Sequence, residues 1–100
     1  MKVAFISGPY RADTVRGIVE NIQRAEAVAL KYWRLGYAVI CPHKNSALFD
    51  GAMPDNVWLE GDIEMLMRCD VIVMMRDYKR SEGARAELKA AAGRIDVIFE

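Results

Sequence analysis

The chain has 100 residues, 53% of them hydrophobic and 28% charged, which is material for one compact domain and not for two. Lys plus Arg and Asp plus Glu number 14 each, a balance that argues against a general affinity for nucleic-acid polymers or membrane surfaces. No apolar run approaches the ~20 residues of a membrane span.

Lys2 to Ser7 is a short β-rich apolar run ended by Gly8-Pro9. It is too short for a signal peptide and reads as a central strand followed by a loop. From Val15 to Leu35, Ile18, Ile22, Ala25, Val28, Ala29 and Tyr32 recur at spacings of three and four, which predicts a long amphipathic helix with Gly36 at its C′ position. Tyr37 to Cys41 is a second strand, stopped by Pro42. Residues 43–56 read as a long loop with one helical turn, and a loop of that length in a small domain is usually functional. Val57 to Arg68 is a second helix, and Asp70 to Met75 a nearly pure apolar strand of the kind covered on both faces. Ser81 to Ala92 is a third helix and Ile95 to Phe99 a last strand. The alternation predicts a single three-layer α/β domain over residues 1–100, with a parallel sheet of about four to five strands and helices on both faces. Ligands of such sheets bind beyond the carboxyl ends of the strands. Three predicted loops converge there: 8–14, 43–56 and 76–81.

Cys41 and Cys69 lie far apart in apolar contexts and read as buried thiols of a reducing cytoplasm, not as a disulfide. One histidine and no Cys-x-x-Cys pair make a zinc site improbable, and the pattern calls for no cofactor.

Three segments carry chemistry. The first is Ser7-Gly8-Pro9-Tyr10-Arg11. Gly8 allows backbone to approach a ligand, and Tyr10 and Arg11 suit a base or a phosphate; a plain strand-ending turn has the same composition. The second is Ser81-Glu82-Gly83-Ala84-Arg85-Ala86-Glu87. Ser81, Gly83 and Ala84 open a helix and make an anion site of its first turn. Glu87, a turn further in, is placed to attack an anomeric carbon or to stabilise the charge that develops on it. An ordinary Ser cap with acidic residues at the positive helix end explains the segment equally well. The third is Asp62, a general acid for a leaving group, an anchor for a sugar hydroxyl, or simply a solvated helix residue. His43 follows the second strand on the same side of the sheet and suits phosphate or base, or a structural role. Trp33 and Trp58 read as packing residues with a possible place at a dimer contact.

In their order and spacing these segments, together with Gly36-Tyr37-Ala38-Val39-Ile40-Cys41-Pro42 and Cys69-Asp70-Val71-Ile72-Val73-Met74, resemble the nucleoside 2-deoxyribosyltransferase-like superfamily, above all its short members of the DUF4406 type. The resemblance covers nearly the whole chain. It implies a flavodoxin-like sheet, Glu87 as the nucleophile and Asp62 as the partner carboxylate. Ser81 stands where transferases carry an aspartate and where members that hydrolyse nucleoside 5′-monophosphates carry a serine. It therefore implies a nucleotide N-glycoside hydrolase, with base-exchanging transfer and non-catalytic nucleotide binding as alternatives. Phe5 stands where deoxyribose-preferring hydrolases carry a tyrosine, which leaves ribonucleotides open. The implied partners are a small-molecule nucleotide and, because the core is small and apolar residues of the 43–56 loop and the helices would stay exposed, a second copy of the chain or a higher homo-oligomer.

Overall fold

The computed structural model describes residues 1–100. Its strands are β1 (Val3–Ser7), β2 (Ala38–Ile40), β3 (Val71–Met74) and β4 (Asp96–Phe99). All pair in parallel, in the order β2-β1-β3-β4. The helices are α1 (Val15–Arg34), the single turn α2 (Pro42–Asn45), α3 (Asp55–Leu66) and α4 (Glu82–Ala91), with a 3₁₀ turn at Tyr78–Arg80. The expected α/β architecture is therefore present, with four strands. The helical turn expected within 43–56 is α2, and α3 begins two residues before Val57, at Asp55.

Alternation along β1 and β3 builds two cores. Ala4, Ile6, Val71, Val73 and Met75 face α1, where Ala25, Ala29 and Tyr32 form the buried stripe. Phe5, Ile72 and Met74 face the other way, against Leu66 of α3 and Ala84 and Ala91 of α4. Burial of this kind contributes roughly 25 cal/mol per Å² of apolar surface, so the sheet interior anchors the molecule. Thr14 caps α1 by accepting from the Gly17 amide, and Gly36, at φ 97°, ends it in the left-handed conformation that glycine adopts most readily.

The chain leaves β1 for β2 on one side and returns to β3 on the other. Strand order thus reverses between β1 and β3, and their carboxyl ends mark the switch point where open α/β sheets bind ligands. The two ends are in close contact: a Cβ on Gly8 would lie 2.3 Å from Met75 Sδ. Gly8 is required there for strand packing, whatever it contributes to a ligand.

Candidate active site

Ser7 continues the Phe5 face of β1, because side chains alternate along a strand. That turns it toward α4. On α4, Ala84, Glu87 and Ala91 share one buried stripe at spacings of three and four. A carboxylate thus occupies a core position of an amphipathic helix, opposite the last residue of β1. Ser7 Oγ donates to Glu87 Oε1 at 2.6 Å, and both residues are buried, at 0% and 8% exposure. The Glu87 carboxyl is raised to about 7, by burial above all; the Ser7 hydrogen bond opposes the rise and the Asp62 charge adds to it.

Asp62 lies on the α3 face that carries Trp58 and Leu66, four residues to either side. It is half-buried, which pushes its carboxyl up to about 6. A solvated-face reading of Asp62 therefore does not hold. Asp62 and Glu87 line one cleft of about 320 Å³ together with Gly8, Tyr10, His43 and Ser81. That volume is at the small end of the ~300–1,000 Å³ typical of ligand sites.

Ser81 is the N-cap of α4, its Oγ accepting from the Ala84 amide at 3.1 Å. A hydroxyl that accepts this bond still has its own hydrogen to donate. The amides of Glu82 and Gly83, in the first turn, have no intrahelical partner, and both residues line the cleft with Arg80, whose guanidinium also faces Asp77 at 3.9 Å. This end of the cleft favours an anion.

Two expected ligand contacts are corrected. Ala84 is 1% exposed within the core, and its amide is taken up by Ser81, so it is a packing residue. Ser7 does not line the cleft; it holds Glu87. Phe5 is likewise fully buried in the core. Arg11 lines the cleft and pairs with Asp55 at 2.7 Å, both side chains being largely exposed. Tyr10 lines it too, but its hydroxyl is engaged, donating to Asp50 Oδ1 at 2.6 Å and accepting from the Leu48 amide at 2.9 Å. Leu48 has φ 60°, the one non-glycine residue at positive φ.

His43 is buried, with Nε2 donating to the Pro9 carbonyl at 2.9 Å. Burial lowers its pKa and keeps the ring neutral, which leaves Nδ1 an acceptor. Trp58, expected to pack or to meet a second copy of the chain, lines the cleft and lies against Phe49 with ring centroids 5.9 Å apart. Trp33 is 53% exposed on α1. Of the thiols, Cys69 is buried and Cys41 only half-buried, and both are free.

A polar strap escaped the sequence reading. Asn21 of α1 donates to the carbonyls of Tyr10 and Arg11 and accepts from Arg24, whose guanidinium pairs with Asp77 at 2.5 Å. It ties the loop after β1 to the loop after β3. The only signal for it was a polar residue, Asn21, beside the apolar stripe of α1.

The fold and this cleft define an α/β protein with a small polar cleft at the switch point of a parallel sheet. The chain belongs to the family described as a domain of unknown function, DUF4406, which matches residues 2–99. A comparison with curated proteins gives no match. No helix is long and apolar enough to cross a membrane.

Proposed function

We propose that the protein hydrolyses the N-glycosidic bond of a nucleoside 5′-monophosphate, releasing free base and sugar phosphate. The observation that carries this reading is the pair of carboxylates in one small cleft, Glu87 buried and oriented by Ser7, Asp62 half-buried across from it on α3. Breaking such a bond builds positive charge on the sugar ring and negative charge on the departing base. One carboxylate must be ionised, to attack or stabilise the anomeric carbon, and one carboxyl must hold a proton for the base. Burial raises both carboxyls, Asp62 to about 6 and Glu87 to about 7, toward the range in which such a pair shares one proton. A sugar gathering positive charge beside Glu87 favours its anion, so the shared proton sits on Asp62, which gives it to the departing base; water then adds to the anomeric carbon and returns a proton to the pair.

The 5′-phosphate lies against the first turn of α4, where the Ser81 hydroxyl, two free amides and Arg80 favour an anion. The neighbouring Glu82 is exposed and also lines the cleft, so the helix end and Arg80 must outweigh its carboxylate for a phosphate to sit there. The balanced charge and the resemblance of the motifs support a free nucleotide over a polymer as substrate, and the two unpaired thiols support a reducing cytoplasm. Self-association is part of the same reading. Leu30 and Trp33 are exposed on α1 beside a mostly apolar groove along β2, and Leu48, Phe49 and Met53 are exposed on the cleft loop. Sedimentation should give a dimer or larger species at micromolar concentration, and a monomer there overturns this part.

The decisive experiment is a screen of ribo- and deoxyribonucleoside 5′-monophosphates for free base by chromatography, with and without an acceptor base. Free base plus sugar phosphate without acceptor is the expected result. Base exchange that needs the acceptor identifies a transferase, and nucleotide binding with no base released from any substrate overturns the reading.

A further inference from the structure

Only two buried side-chain polar atoms have no hydrogen-bond partner, Trp58 Nε1 and His43 Nδ1, and both belong to residues of the cleft. Buried polar groups are nearly always paired, and an unpaired one points to a partner that arrives later. The two are chemically complementary. An indole N–H only donates. His43 Nδ1 only accepts, since Nε2 carries the ring hydrogen toward the Pro9 carbonyl. A phosphate dianion accepts at Trp58 and has nothing to offer His43, and an apolar ligand answers neither. The edge of a heterocycle that carries an acceptor and an N–H answers both.

Position agrees with chemistry. Trp58 precedes Asp62 by one helical turn on the same face of α3, so a ring held against Trp58 departs beside Asp62. The cleft has aromatic surfaces at Tyr10, His43 and Trp58, of which Tyr10 and His43 lie 6.1 Å apart by ring centroids. The features that favour an anion gather instead at Arg80, Ser81 and Gly83.

We propose that Trp58 reads the base of the bound nucleotide, its Nε1–H donating to a ring nitrogen or carbonyl oxygen of the heterocycle while His43 Nδ1 accepts from an amino or imino N–H. This rests on the nucleotide reading above. Both atoms are shielded from water, so the base engages them only as neighbouring side chains shift; Phe49, against the Trp58 ring and 53% exposed on its loop, is one that is free to move. A site with such unanswered groups discriminates strongly between ligands that can and cannot pair them.

The test uses the whole chain, with nucleoside 5′-monophosphates and ribose 5-phosphate as probes. The two indole N–H resonances, of Trp58 and Trp33, are assigned by Trp58→Phe, which keeps the aromatic contact with Phe49. Nucleotides should move the Trp58 resonance downfield, and ribose 5-phosphate should leave it in place. In calorimetry Trp58→Phe should bind nucleotides about 5- to 10-fold more weakly, the loss of one hydrogen bond, and ribose 5-phosphate equally well. An unmoved Trp58 resonance at saturating nucleotide, or the same shift with ribose 5-phosphate, overturns the assignment. If base is released while that resonance stays still, only the role of Trp58 falls. If the resonance shifts and no nucleotide loses its base, the hydrolase falls and base recognition stands.

Discussion

The two walls of the cleft are built differently. The inner wall is sheet and helix: Ser7 at the end of β1, Gly8 against Met75, and Glu87 on the buried stripe of α4, held by the Ser7 hydroxyl. The outer wall is the 46–53 loop and the start of α3, where Leu48, Phe49 and Met53 are exposed and the Trp58 N–H is unpaired. On the proposed reading, the groups that meet the reacting atom sit on elements the core holds rigid, and those that admit and recognise the ligand sit where few contacts resist movement.

The hardest blow to the inner wall is Glu87→Gln. Base release should fall by about a thousandfold or more, because the charge that meets the sugar cation is gone, while Ser7 retains an oxygen to bond. Near wild-type release overturns the assignment of Glu87. The same variant sharpens the comparison through stability. The Glu87 carboxyl lies at about 7 in the fold, above the 4.5 of the free side chain, so the native state binds more protons than the unfolded state between those values. The wild-type fold therefore has the full benefit of the protonated acid below about 4.5 and loses it as pH rises through about 7. Denaturant melts should show Glu87→Gln more stable than wild type at pH 8, by up to ~3 kcal/mol, and equal to it near pH 4. A variant equally or less stable at both pH values contradicts a buried, raised carboxyl.

A smaller effect is expected at the anion end. Asp caps a helix as well as Ser does, so Ser81→Asp should keep α4 intact and weaken 5′-monophosphate binding by about tenfold or more, with the free nucleoside little affected. Equal losses for both ligands mean that Ser81 does not meet the phosphate. The pH dependence of kcat/KM tests both carboxylates at once. A one-proton pair gives a bell with limbs near the two raised values, about 6 and about 7. A profile flat from pH 5 to 8 excludes both from the chemistry. Smallest of all, Tyr10→Phe removes the hydroxyl that holds Asp50 and the Leu48 amide. Stability should fall by about 1 kcal/mol or less, and hydrogen exchange should quicken within 46–53 and nowhere in β1 or α4. Faster exchange in the sheet as well would mean that the two walls are one unit.

The inner wall was largely legible in the sequence. Apolar alternation and the 3.6-residue period define strands and helices through local geometry, and the Ser81 cap and the Gly36 stop depend only on neighbours. Glu87 stood out because its segment opens a helix after a buried strand. What the pattern left open was pairing across the chain. The bond from Ser7 to Glu87 joins residues 80 positions apart, so Ser7 was read as a ligand contact instead of a support. Ala84 reads as an anion contact because its amide belongs to the first turn of α4, and the composition does not say that the Ser81 cap takes up that amide. Trp58 was missed for a related reason: its type predicts packing, and only the fold reveals that its N–H has nothing to pair with. The Asn21–Arg24–Asp77 strap depends on three segments meeting and has almost no local signature.

The backbone at Leu48 has one more consequence. A β-carbon at φ 60° presses on the following carbonyl at a cost of about 1 kcal/mol or more, which the Tyr10 hydroxyl and its grip on Asp50 offset. The loop is thus latched against a spring. Whatever pulls the tyrosine hydroxyl away, a competing oxygen on a ligand included, lets Leu48 relax to a right-handed angle, and the release favours the open form without any new contact being made.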